Sequence, residues 1–187
     1  MDANPADRRR KAPPRPLDKA RLEELALAYV ARFATSGGKL ADYLSRKLRE
    51  RGWDDAEPAD VPALVGRMVE KRYVDDAGYA LAKGQGLLRR GYGARRIDQA
   101  LGAARISEGL REDALGSAQE RRAAALVLAR KRRFGPFGRD GACHDPVMRE
   151  KQVAAMLRAG HPLATARRLV NAGTIEDAES WVDEELD

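Results

Sequence analysis

The chain from residue 72 to residue 106 reads RYVDDAGYALAKGQGLLRRGYGARRIDQALGAARI, a helical segment, a glycine turn and a second helical segment. A helix is predicted over about residues 75–90, and the Gly-Tyr-Gly of residues 91–93 interrupts it because glycine destabilises a helix interior. After the turn, Ile97 and Leu101 are four residues apart, which places both side chains on one face of a helix. The pattern therefore predicts two consecutive short helices in the middle of the chain.

The spacing of this central segment recurs on both sides of it. In three places an apolar residue of a predicted helix is followed four residues later by the residue that ends the helix and five residues later by the next residue of the pattern. The three sets are Leu48/Gly52/Trp53, Leu101/Arg105/Ile106 and Met156/Gly160/His161. This recurrence predicts an internal repeat of about 50 residues with three short helices in each unit. The expected fold is all-α, an elongated tandem array of three three-helix repeats, in which neighbouring repeats bury each other's faces.

The repeat and the local composition together predict five segments. Residues 1–17 contain four of the nine prolines and five basic residues, a composition typical of a disordered basic arm. Helical repeats are predicted at residues 18–74, 75–118 and 119–173. Residues 174–187 carry seven acidic residues and no basic one, and they predict a separate acidic C-terminal helix.

The composition agrees with a helical fold and excludes several classes of protein. Alanine (33) and leucine (20) far outnumber valine, isoleucine and threonine together (16), which disfavours a sheet-based fold. One cysteine excludes an internal disulfide framework, and no apolar run approaches the roughly 20 residues that span a bilayer. We expect a soluble, cytoplasmic, monomeric protein that has no membrane contact.

The positive charge is concentrated before the acidic segment. The net charge is +6 for the whole chain and +13 for residues 1–173. The basic residues that we take as candidates for binding a partner form three clusters: Arg46 and Lys47; Arg89, Arg90, Arg95 and Arg96; Arg130, Lys131, Arg132 and Arg133. Cations favour helix C-termini, but three clusters exceed that need and predict a surface for nucleic acid or an acidic partner. Arg95 and Arg96 stand early in a helix, where capping gives cations no benefit.

Residues for catalysis or for a cofactor do not assemble in this sequence. There is no phosphate-binding GxxxxGK[ST] loop, and the two histidines, His144 and His161, are far apart. Asp75 and Asp76 form a tight carboxylate pair, which we interpret as the cap and first turn of a helix. We predict no catalytic residue, no cofactor and no metal site.

Two pieces of the central segment resemble the signature of the RecX family. They are RYVDDAGYA at residues 72–80 and RRGYGARRI at residues 89–97, at about the distance found in that family. The resemblance covers about residues 22–172. It assigns a structural role to the positions Tyr73, Asp75, Asp76, Tyr79, Gly91, Gly93 and Ile97. Two departures are Arg105, where the family usually has glycine, and His161, where an aromatic or aliphatic residue is common.

The resemblance implies a non-enzymatic regulator of the RecA recombinase. Such proteins lodge in the groove of the RecA–DNA filament and suppress its ATP hydrolysis and strand exchange, which modulates recombination and DNA repair. The expected partners are the RecA filament and, weakly and without sequence preference, single- or double-stranded DNA.

Three other interpretations stay open at this point. Three-helix units are also typical of helix-turn-helix transcriptional regulators, although only two asparagines are present to read base edges. An enzyme with a site made of carboxylates alone is a second alternative. The third is a scaffold whose charge serves solubility.

The acidic segment at residues 174–187 has two possible arrangements. We expect it either to fold back over the basic surface as a cover or to form a helix packed through Ile175 and Trp181.

Overall fold

The computed structural model describes residues 15–139 and 145–184, and within these ranges the chain is all-helical, as predicted. The described residues form ten α-helices and one 3-10 turn at Gly135–Phe137: α1 Lys19–Arg32, α2 Gly37–Arg51, α3 Val61–Glu70, α4 Asp76–Leu88, α5 Ala94–Gly102, α6 Glu108–Asp113, α7 Ala118–Arg132, α8 Pro146–Arg158, α9 Leu163–Val170 and α10 Ile175–Asp183. The extended pairing in the described residues is one isolated bridge between Leu17 and Trp53.

Most helices begin at a side chain that accepts a hydrogen bond from the exposed backbone N–H groups of the first turn. Asp75 does so for α4, where its Oδ1 accepts from Gly78 N at 2.9 Å. Ser117 and Glu120 form a reciprocal capping box at α7. The same kind of cap starts α1, α2, α3, α8 and α10, at Asp18, Ser36, Asp60, Asp145 and Thr174.

Five helices end in the same left-handed turn, in which a residue with positive φ follows the last helical turn. The residues with positive φ are Arg72, Gly91, Arg105, Arg133 and Gly160. In each case the next N–H bonds back to a carbonyl five residues earlier, as Ile106 does to Leu101 at 3.1 Å and His161 to Met156 at 3.2 Å. Arg105 therefore adopts, at φ +55°, the conformation for which glycine is the usual residue.

The apolar residues collect in three clusters along the chain. The first contains Leu40, Leu44 and Met68. It lies in the compact unit that ends at Val74. The second is built around Ile97 and Leu101, and the third around residues such as Met156 and Leu169. Both belong to the compact unit that begins at Asp75. The three-helix repeats and their boundaries stay a prediction, because the described residues divide into two compact units and not three.

Helix α7 contributes to two of these clusters with consecutive residues. Ala124 packs into the second cluster, whereas Ala125 and Ala129 pack into the third. Small side chains let neighbouring segments approach α7 from two sides. The turn at Gly91 comes so close to α7 that a Cβ at Gly91 would lie 3.0 Å from the backbone nitrogen of Leu128. The alanine-rich sequence of α7 thus has a packing reason.

The two predicted terminal segments are partly described by the structure. Residues 1–14 of the predicted arm lie outside the described residues, but Leu17, its last residue, is fully buried in the first cluster. At the other end, α10 buries Ala178 and Val182. Trp181 packs against the third cluster, while Ile175 remains 41% exposed. The expectation that α10 packs through Ile175 is therefore wrong.

Candidate functional site

The glycine turn between α4 and α5 packs directly on the C-terminal end of α8. Gly93 donates its N–H to the carbonyl oxygen of Ala159 at 3.0 Å, and Arg95 N donates to Gly160 O at 3.3 Å. A Cβ on Gly93 would collide with the backbone of Gly160, and a Cβ on Gly160 with that of Arg96. Glycine is required on both sides because the two backbones touch.

A buried histidine ties the same two segments together. His161 is 4% exposed, and its Nε2 lies 3.0 Å from the carbonyl oxygen of Gly91. A neutral ring protonated on Nε2 donates this hydrogen bond. Burial lowers the pKa of His161 because it disfavours the charged imidazolium, and the bond to the Gly91 carbonyl partly opposes this effect.

Arg95 has a structural partner, contrary to the sequence-based expectation. Its guanidinium donates a hydrogen bond of 2.6 Å to the carbonyl oxygen of Leu157 in the last turn of α8. Carbonyls at a helix C-terminus lack intrahelical partners and carry the negative end of the helix dipole. Arg95 therefore caps a helix 62 residues away, rather than its own. The view that no capping explains this arginine is wrong.

A cavity of about 390 Å³ opens where the glycine turn meets the C-terminal ends of α7 and α8. Five basic side chains line it: Arg90, Arg96, Lys131, Arg132 and Arg158. Two aromatic rings, Tyr92 and Phe134, also line it, and none of the described lining residues carries a carboxylate. Arg90 is held beside the Tyr92 ring, 5.8 Å from its centroid, and donates to Gly86 O at 3.0 Å. We call this feature the basic cavity.

The basic cavity unites two of the three predicted basic clusters. Arg90 and Arg96 come from one, and Lys131 and Arg132 come from the other. Arg158 was not among the predicted binding residues. The sequence indicates Arg158 only by its position, three residues before His161 and near the predicted end of a helix in the third repeat.

The remaining predicted binding residues lie elsewhere. Arg89 lines a separate groove with Gln85 and Val127. Arg133 is the exposed left-handed residue that ends α7. Arg46 and Lys47 belong to the other compact unit, on α2, where both pair with Glu50.

The structural positions of the signature have distinct roles. Asp75 caps α4, and Asp76 stands in its first turn. Ile97 is fully buried, and Tyr79 packs against the second cluster. Tyr73 is 53% exposed, so burial in a hydrophobic cluster does not explain its place in the signature.

The acidic helix α10 pairs with arginines that do not line the basic cavity. Arg168 donates to both carboxylate oxygens of Asp177, at 3.0 and 3.3 Å, and this bond lowers the pKa of Asp177. Arg130 pairs with Glu179, and its guanidinium lies over the Phe137 ring. Arg122 lies over the Trp181 ring, 4.9 Å from its centroid. Helix α10 is thus packed through Trp181 and paired with basic residues, and a cover over the surface that binds a polyanion stays a prediction.

Neither a metal site nor a membrane span is found in the described part of the chain. Residues 15–139 and 145–184 contain no group of three or more His, Cys, Asp or Glu side chains placed to hold a metal ion. Within the same ranges, no helix is long and apolar enough to cross a membrane. Cys143 and His144 lie outside these ranges.

A concave surface lined by five basic side chains is typical of proteins that bind an anionic partner. Comparison with known proteins gives the family. The chain is 30% identical over 168 residues to the regulatory protein RecX of Myxococcus xanthus, covering 85% of this chain and 89% of that protein. It is 33% identical over 147 residues to RecX of Agrobacterium fabrum, covering 75% and 76% respectively. The chain belongs to the RecX family.

The fold agrees with this assignment. The crystal structure of RecX from Lactobacillus salivarius matches with a TM-score of 0.63 at 17% identity, over 88% of this chain and 96% of that one. No family model matches the chain. Both relatives are named regulatory proteins, and this chain is accordingly a RecX-type regulatory protein.

Proposed function

We propose that this protein binds the RecA–DNA filament and inhibits its ATPase and strand-exchange activities, and so modulates recombination and DNA repair. The observation that carries the proposal is the basic cavity, considered together with membership of the RecX family. The protein acts as a cytoplasmic monomer and contacts free DNA weakly and without sequence preference.

The chemistry of the basic cavity suits a phosphate-lined or acidic partner. Five cations converge on one concave surface, and no carboxylate in the lining neutralises them. Each cation that replaces a counterion on a nucleic-acid backbone adds affinity that declines as salt rises. A filament presents the same surface at regular intervals, so several weak contacts on one chain act at a high effective concentration.

A helix-turn-helix transcriptional regulator remains the alternative, but the cavity does not favour it. Base edges are read mainly by Arg, Asn and Gln side chains that form paired hydrogen bonds. The lining contains neither Asn nor Gln. Its arginines can pair with guanine, but the lining offers no side chain that pairs with adenine. Five cations together suit phosphates and carboxylates, which report charge and not sequence.

The direct test is ATP hydrolysis by the cognate recombinase on single-stranded DNA, with this protein titrated in. The charge reversals Arg96→Glu and Arg132→Glu, combined, should weaken inhibition at least about tenfold, because two attractive contacts become repulsive. The matched control is Lys71→Glu with Lys151→Glu, an equal charge change at exposed residues outside the cavity lining. If the folded cavity variant inhibits as well as the parent protein, the basic cavity is not the contact surface.

A further inference from the structure

Three aromatic rings form a continuous row on α1 and α2, in the compact unit that the basic cavity does not involve. The rings of Tyr29 and Tyr43 are stacked, with centroids 4.2 Å apart and planes 20° from parallel. The Phe33 ring follows, with its centroid 5.2 Å from that of Tyr29 and tilted by 49°. We call these three side chains the aromatic row.

Packing of the core accounts for two members of the aromatic row and not for the third. Tyr29 and Tyr43 are half-buried and pack against the first hydrophobic cluster. Phe33, at the C-terminal cap of α1, is 48% exposed. The row thus has a supported inner end and an open outer end, where an aromatic ring faces solvent.

Basic side chains flank the rings at both ends of the row. The Arg32 guanidinium lies 5.4 Å from the Phe33 centroid, and the basic groups of Arg46 and Lys47 lie 5.8 and 6.0 Å from the Tyr43 centroid. Glu50 pairs with Arg46 and Lys47. Helix α2 as a whole still carries five basic and two acidic residues, so the surface stays positive.

We propose that the aromatic row is a stacking site for an unpaired base of single-stranded DNA, with the flanking cations contacting the adjacent phosphates. Non-specific single-strand binding combines aromatic platforms with positive charge in this way, because every base has a face that stacks. An acidic peptide would use the cations but gain nothing from an exposed phenyl ring. A duplex offers no free base face along its length.

The inference deepens the DNA contact in the proposed function and rests on it. Its test, however, uses free oligonucleotides without a recombinase, so the two proposals can fail separately. Base-dependent binding of oligonucleotides by a protein that does not inhibit ATP hydrolysis would overturn the proposed function and leave the stacking site standing. Equal binding with and without bases would overturn the stacking site alone.

The experiment measures the anisotropy of a labelled oligonucleotide as the full-length protein is titrated in at low salt. The probes are oligo(dT) and an abasic strand of the same length, which keeps the phosphates and lacks the bases. The unmodified protein should bind oligo(dT) about tenfold more tightly than the abasic strand, the difference expected from about one stacked base. Equal affinities would overturn the proposal, as would preference for an acidic peptide of equal charge.

Variants of Phe33 then locate the effect. Phe33→Ala and Phe33→Leu should each lower oligo(dT) affinity about tenfold and leave abasic-strand affinity unchanged, while Phe33→Trp should retain stacking. Phe33→Leu keeps apolar bulk, so it remains informative if Phe33→Ala fails to fold. The matched control is Leu27→Ala, another exposed apolar side chain of α1. An equal loss on both probes, or an equal loss in the control, would assign the effect to charge or stability instead.

Discussion

The guanidinium of Arg95, in the first turn of α5, donates a 2.6 Å hydrogen bond to the carbonyl oxygen of Leu157, in the last turn of α8. The bond joins the helix that follows the glycine turn to the end of a helix 62 residues further along the chain. Arg95 therefore differs from its neighbour Arg96, which lines the basic cavity, whereas Arg95 does not. Two adjacent arginines thus lie in different environments.

Arg95→Ala should lower the free energy of unfolding by about 1 kcal/mol, because a helix-end carbonyl loses a charged donor at a partly solvated site. Urea denaturation followed by circular dichroism measures the change. Arg96→Ala is the matched control and should alter stability little while weakening inhibition of the recombinase. The assignment is contradicted if the two substitutions have interchangeable effects.

Gly93→Ala should destabilise the protein by about 2 kcal/mol or more, because the new methyl group meets the Gly160 backbone, which cannot move aside cheaply. Gly109→Ala provides the comparison, since a Cβ at that position of α6 has no heavy atom within 4 Å. That change should be neutral or stabilising by up to about 1 kcal/mol. Thermal melts of both variants check the prediction, and similar melting temperatures would refute the close approach.

Stability should fall as the pH drops below about 6.5, the ordinary pKa of histidine. Burial lowers the pKa of His161 in the folded state, so the unfolded chain binds more protons in the window between the two pKa values. The contribution is fully present above the unfolded pKa and is lost as the pH falls towards the folded pKa. Urea midpoints at pH 7.5 and pH 5.5 should differ less in His161→Leu than in the parent protein, and an unchanged difference would exclude His161 as the source.

Local features of the fold could be predicted from the sequence because their causes lie within a few residues. Asp75 caps the helix that immediately follows it, and the spacing that aligns Gly52, Arg105 and Gly160 places all three at helix ends with positive φ. The exposure of Tyr73 could not be predicted in this way. Its side-chain environment depends on packing and not on the adjacent chain.

The candidate site was predictable in part for the same reason. Charge clustering identified four of the five cations of the basic cavity, since neighbours in sequence remain neighbours at a helix end. The position of Arg158 in the basic cavity and the capping role of Arg95 both depend on the contact between the glycine turn and α8. That contact joins segments about 60 residues apart, and no local periodicity reports it.

The pairing of α10 with basic residues predicts that its charge limits binding to polyanions. Glu179→Gln releases Arg130 from its ion pair and raises the net charge by one. Because both partners are about half exposed, the pair contributes little to folding, and the melting temperature should be nearly unchanged. Affinity for single-stranded DNA at low salt should increase about threefold, and the gain should disappear at high salt.

Glu176→Gln controls for net charge, since it changes the charge equally at an exposed position in the first turn of α10. Fluorescence anisotropy with one labelled oligonucleotide compares both variants with the parent protein. A larger gain for Glu179→Gln means that Arg130 becomes available to the polyanion when its partner is neutralised. Equal gains would mean that only the net charge matters, and no gain in either would mean that α10 serves packing alone, through Trp181 and the buried Ala178 and Val182.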